Sequence, residues 1–239
     1  MRHAMINIIT AELIKLRSLP VVLATIGGTV AAAVALTAAV AASETTTSPA
    51  QVVIRSITFV QVGLILLGAL VIGTDYTGSN MRTALTATPN RGTFLAGKCV
   101  AYLLAAVTTS AATVVAGLLT ATLTLAVRDR PTETGADTWP MIGAGVYLVL
   151  IGILGLALAL LLRSLVPPLV AMLSLVLIVS PLLSTLTSYA HYLPDQAGSL
   201  LYHPQTTAEL TSGTGVLVLL TWIAAIGTGA VMEFRNRDA

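Results

Sequence analysis

The chain has 239 residues, 56% of them hydrophobic and only 9% charged, against about 25% charged in an ordinary soluble domain. With a mean hydropathy of +0.91, it is not a soluble globular enzyme, a disordered regulator or a secreted disulfide scaffold. Its single cysteine, Cys99, forbids an intramolecular disulfide, and a net charge of +2 is too small to point to nucleic acid. An all-α, multi-pass membrane protein remains, a single transmembrane domain over residues 1–239.

The first predicted element is a helix over 5–17. At helical pitch Met5, Ile6, Ile9, Leu13 and Leu16 share one face, with Asn7, Ala11 and Lys15 opposite. Glu12 and Lys15, three apart, are placed to pair. This reads as an interfacial helix along the cytoplasmic leaflet, with Pro20 starting a new one. Six apolar stretches follow, at about 20–42, 53–74, 99–127, 141–162, 166–187 and 215–232. Each approaches or exceeds the length that crosses a hydrocarbon core of about 30 Å, and in lipid such segments have to be helical. The Val40-Ala41-Ala42-Ser43 stretch has the small residues of a leader-cleavage site. The apolar run before it is too long for a leader, and it reads as a span. Small-residue spacings such as Ala69-x-x-x-Gly73, Gly117-x-x-x-Ala121 and Gly152-x-x-Gly155 read as packing features.

Basic residues set the orientation. Arg2, Lys15, Arg17, Arg82, Arg91, Lys98, Arg163, Arg235 and Arg237 fall on one side of the spans; Arg55, Arg128 and Arg130 fall on the other. That bias predicts both termini in the cytoplasm. Between spans two and three, Gly78 breaks the preceding helix and Ser79 is suited to cap the next. Met81, Ala84, Leu85 and Thr88 then form a small face before Pro89. A helix over Gly78–Pro89 is too short to stand alone in water and needs a surface to pack on. Gly92-x-x-x-x-Gly97-Lys98-Cys99 nearly spells a phosphate-binding loop. Cys99 replaces the hydroxyl that would ligate magnesium, no strand precedes it and a membrane helix follows. Thr93 is therefore expected to cap span three, and Lys98 to sit at headgroup level.

Inside the spans, Thr58 and Gln61 share a face of span two, and Ser180 and Ser184 share one of span five beside Pro181. Buried polar groups need partners, so these side chains are expected to face the protein interior or a pathway. No span carries an ionisable residue near its centre, which speaks for an external energy source rather than ion coupling. The outer loop 188–212 is polar. Its tyrosines, among them Tyr189, Tyr192 and Tyr202, suit a membrane interface, and its two histidines make a poor metal site. The chain has no catalytic triad and no metal-ligand cluster.

Three stretches carry a family resemblance. They are Ala11–Arg17 before the first span, Asp75-Tyr76-Thr77-Gly78-Ser79-Asn80-Met81-Arg82 followed by Arg91 and Gly97-Lys98, and Tyr192–Gly198 before the last span. In these, and in its six spans, the chain resembles the ABC-2 type permeases, the membrane subunits of bacterial ATP-binding-cassette exporters. Asp75 stands where the family more usually has Glu. The resemblance implies that 5–17 is a connecting helix and Gly78–Pro89 a coupling helix in a groove of an ATPase subunit. Asp75, Gly78, Met81, Arg82, Leu85 and Arg91 would then form the ATPase-coupling set, and Thr58, Gln61, Ser180 and Ser184 would flank the substrate route. It also implies two cytoplasmic ATPase subunits and a second permease, identical or homologous. ATP and magnesium would be bound by the partner ATPase, with no cofactor on this chain, and the setting would be the bacterial plasma membrane. The expected function is outward transport of an apolar or amphipathic drug, peptide or lipid by alternating access. The alternative is a non-transporting scaffold or immunity factor that binds a toxin or lipid.

Overall fold

From Leu64 to Gly73 nearly every side chain of the second span is buried, whichever way it points. A helix apolar on all sides has to be surrounded, and the others pack around this one. In a computed structural model, which describes residues 2–43, 48–76, 91–128, 138–203 and 210–236, the order is α1 (Arg2–Ser18), α2 (Pro20–Ser43), α3 (Pro49–Tyr76), α4 (Arg91–Val127), α5 (Thr138–Leu162) and α6 (Val166–Ser174). A π turn (Leu175–Val179), α7 (Ser180–Leu186), a 3-10 turn (Ser188–Tyr192), α8 (Pro194–Ser199) and α9 (Ser212–Asn236) complete it. There is no strand among the described residues. Six helical stretches are long and apolar enough to cross a membrane, counting α6 to α7 as one. This is the architecture of a multi-pass membrane protein.

α3 and α5 form the central pair. They approach at Gly68 and Gly152, where a Cβ on Gly68 would drive into the Gly152 carbonyl and one on Gly152 would stand 2.8 Å from the Leu64 carbonyl. Glycine at both positions brings the two backbones into contact, which is how helices gain packing energy without a hydrophobic drive. Hydroxyls join other pairs. Thr37 on α2 meets Ser56 on α3 at 3.3 Å, and Ser110 on α4 donates to the Gly145 carbonyl of α5 at 2.8 Å. α2, α6, α7 and α9 form the flanks and expose Leu23, Val170, Leu182, Leu217 and Met232.

Two expectations change. α4 starts at Arg91, not near Cys99, and Thr93 lies within it instead of capping it. Its 37 residues reach about 55 Å, well beyond a hydrocarbon core of about 30 Å. The excess first two turns pack on α1. α1 keeps most of its expected face: Leu16 is buried and Met5, Ile9 and Leu13 are partly so, with Asn7 and Ala11 exposed, but Ile6 is 53% exposed and Glu12 is buried as well. Its partner is protein, not only lipid. Ile8 sits on Gly97, where a Cβ would come within 2.5 Å of the Ile8 methyl. Span five is interrupted. Pro181 has no N–H and crowds the carbonyl four residues back. The turn before it widens, and the Ser180 amide donates to the Leu175 carbonyl five residues back.

Gly68→Val should destabilise the bundle by about 1–3 kcal/mol through overpacking. Gly27→Ala, whose Cβ meets nothing within 4 Å, should not. Heating each detergent-solubilised variant with a thiol-reactive dye, which reads exposure of the sole cysteine, Cys99, checks this. An unchanged melting temperature for Gly68→Val would show that the two backbones are not in contact.

Candidate functional site

Four charged side chains meet where α1, α3 and α4 come together. The Lys98 ammonium, 1% exposed, lies 2.8 Å from Glu12 Oε2 and 2.5 Å from Asp75 Oδ2. Its third neighbour is the Val71 carbonyl at 3.5 Å, and the Phe94 ring, one turn earlier, has its centroid 5.2 Å away. Lys15 pairs with the other Asp75 oxygen from a half-exposed position. An ammonium has three donors and no acceptor; here it donates to Glu12 and to the Val71 carbonyl and is ion-paired with Asp75. Burying an ion costs several kcal/mol unless it is paired and hydrogen-bonded. The cluster balances two cations against two carboxylates, which is what makes the burial of Lys98 tolerable.

This corrects one expectation. Glu12 does not pair with Lys15: Glu12 turns inward to Lys98 and Lys15 reaches Asp75. Lys98 itself is covered by α1, which packs over the start of α4. Of the coupling set, Asp75 is thus at the centre of the ion cluster. Gly78, Met81, Arg82 and Leu85, with the whole Gly78–Pro89 helix, lie outside the described residues, as does the Arg91 side chain. Asp75 and Lys98 bracket that segment, so its two flanks are ionically joined to each other and to α1.

A second polar region lies at the opposite end. A cavity of about 860 Å³ runs between α3, α5, α7 and the α8 segment, from Ser48 and His203 down to Gln61 and Val176. Gln61 is 12 residues into α3, a depth of about 18 Å. Its side-chain carbonyl accepts from the Tyr147 hydroxyl and its amide donates to the Thr58 carbonyl at 2.7 Å. Tyr147 and Tyr202 pack with ring centroids 5.2 Å apart at 50°. Tyr202 is therefore in the cavity wall, 5% exposed, and not at a membrane interface. The outer segment folds inward because α8 is seated on α5: a Cβ on Gly198 would come within 2.6 Å of the Tyr147 ring. The α8 backbone near Leu200 also accepts from the Ser212 hydroxyl at the start of α9, at 2.8 Å.

Asp195, on α8, lines this cavity. Burial pushes its carboxyl above the ordinary carboxylate range, against smaller lowering from the nearby Ser180 hydroxyl and the amides of Asp195 and Gln196. Burial and the neighbouring Asp195 likewise push the Tyr202 hydroxyl up. Of the four route residues, Thr58 and Gln61 line the cavity. Ser180 is buried behind Asp195. Ser184 is on the exposed side of α7 and donates to its own Pro181 carbonyl at 2.7 Å, apart from the other three.

Comparison with known proteins finds no family model and no curated relative that matches the chain. The sequence reading missed Glu12, Lys15 and Lys98 as a unit, and missed Tyr147, Asp195 and Tyr202 as a cavity wall. A signal existed for the first set. In a chain with 9% charged residues, a lysine flanked by Gly97 and Cys99 in an apolar helix needs a carboxylate, and Glu12 and Asp75 were the acids nearest the same membrane face.

Lys98→Met should cost about 3 kcal/mol or more, because it leaves two buried carboxylates facing each other. Exchanging Glu12→Lys with Lys98→Glu should not rescue, since the new carboxylate would face Asp75. Melting followed by Cys99 labelling reads both, and a wild-type curve for Lys98→Met would remove the cluster as a structural element. Asp195 behaves oppositely with pH. Because its folded-state carboxyl titrates above the unfolded one, its stabilising contribution is complete below the ordinary carboxylate range and is lost as pH rises through the raised value. Asp195→Asn should abolish that decline and melt higher than wild type at neutral pH; an unchanged pH slope would count against the burial argument.

Proposed function

We propose that the chain is the permease subunit of an ATP-driven exporter of the ABC-2 type. In this reading both termini and the ion cluster face the cytoplasm of a bacterial cell. The chain pairs with a second permease, identical or homologous, and each is driven by a separate ATPase subunit that binds ATP and magnesium. The observation that carries the reading is the junction around Lys98. A partner that grips the segment between Tyr76 and Arg91 acts on two helix ends already joined by Asp75 and Lys98 and tied to α1 through Glu12 and Lys15. A push there moves α1, α3 and α4 together, because separating them would strand buried charges. The positive-inside bias of the basic residues and the lack of ionisable groups at mid-span support the same direction and an energy source on another chain.

The cavity at the far end of α3 and α5 supports a transport role as the space into which a substrate passes. Its walls mix amide, hydroxyl and aromatic groups with the apolar Ile54 and Val176, suited to an amphipathic molecule.

Isolation of the tagged chain from its native membrane in mild detergent should bring a stoichiometric ATPase with it. Scrambling residues 78–89 should release that ATPase while the Cys99 melting curve stays unchanged. In cells, Met81→Ala and Arg82→Glu should lower ATP-driven efflux without lowering the amount of folded chain. A chain that purifies alone and still performs its cellular role would overturn the proposal in favour of a scaffold or immunity factor.

A further inference from the structure

Asp195 differs from the other buried acids. Glu12 and Asp75 are ion-paired with lysines, whereas Asp195, 6% exposed, is in none of the ion pairs among the described residues, and its Oδ1 has no hydrogen-bond partner. What acts on its charge is a serine hydroxyl and two backbone amides, with no cationic side chain among them. Arg55 and His203 line the same cavity without forming an ion pair with this carboxyl. Burying an unneutralised carboxylate is costly, and the place where a compensating charge fits is the cavity that Asp195 lines. Tyr147 and Tyr202 edge the cavity beside it, Tyr202 the more open of the two at 5% exposed against 1%. Aromatic faces together with a carboxylate attract an organic ammonium through charge and the ring quadrupole. A hard metal ion instead needs several oxygen ligands, and no group of three or more His, Cys, Asp or Glu side chains assembles among the described residues. At about 860 Å³, the space falls within the range of small-molecule sites.

We propose that this cavity binds an organic cation, an amine or quaternary ammonium carrying an apolar body, with Asp195 as its counter-ion and Tyr147 and Tyr202 as its walls. The site lies within one copy of the chain, and the inference holds whether or not the chain exports what it binds.

The test is calorimetric titration of the full chain in non-ionic maltoside micelles. The probes are benzyltrimethylammonium and its uncharged isostere 2,2-dimethylpropylbenzene. The cation should bind saturably and the isostere more weakly by about tenfold or more. Asp195→Asn should weaken cation binding by a similar factor and leave the isostere unchanged. Tyr202→Phe, which keeps the ring, should bind as wild type, and Tyr202→Leu should bind more weakly. Folding of each variant is checked by the Cys99 melting curve. If Asp195→Asn does not fold, the charge preference of the wild type and the Tyr202 pair decide the matter. Absence of saturable cation binding, equal affinity for the two probes, or a folded Asp195→Asn variant that binds like wild type would overturn the proposal.

Discussion

The Lys98 ammonium cannot be left alone. It is fully covered by protein near one border of an apolar bundle, and an unpaired charge there would cost more than most single interactions return. Its demand for partners dictates much of what surrounds it. Glu12 has to turn inward, which holds α1 against the start of α4. Asp75 has to end α3 beside the second turn of α4. Gly97 has to lack a side chain so that Ile8, and α1 with it, can come close enough for Glu12 to reach. Lys15 completes the charge balance by neutralising the second oxygen of Asp75. The cluster is thus a lock among three helices, placed around the segment on which an external ATPase is proposed to act.

The rest of the bundle follows a different rule. Lipid and side chains are similarly apolar, so helices associate through close packing and matched polar groups, not through escape from water. Gly68 and Gly152 bring α3 and α5 together, and the hydroxyls of Thr37, Ser56 and Ser110 join neighbouring helices. Towards the opposite end a polar cavity lies beside α3 and α5, still joined there by Tyr147 and Gln61, with α8 lining it. Tight association near Gly68 and a cavity beside Gln61 on the same helix give the molecule one closely packed half and one that has room for a guest. Pro181 and the π turn before it border that second half, where an α-helix would otherwise have continued unbroken.

Much of the fold was legible along the chain. Six apolar stretches, the break at Pro20 and packing residues such as Gly73 and Gly152 follow from local composition and from the need to satisfy backbone groups in lipid. Gln61 and Thr58 were recognisable as cavity residues because polar groups in an apolar helix must face something polar. Ser184 was not separable from Ser180 in the same way, since a hydroxyl that returns to its own backbone looks identical in sequence to one that faces a site. The length of α4 was misjudged because hydropathy marks where lipid begins, not where a helix begins.

The sequence by itself determined the class of the protein, the number of its spans and the side of the bundle on which its basic residues gather, because these depend on hydropathy and charge counted along the chain. Only the tertiary structure decided which charges meet. Glu12 and Lys98 are 86 positions apart, and no local period relates them. The same holds for Tyr147, Asp195 and Tyr202, whose shared wall exists only because α8 folds back onto α5. Pairing of buried charge depends on distances between helices, and those are set by how closely the backbones approach at a few glycines.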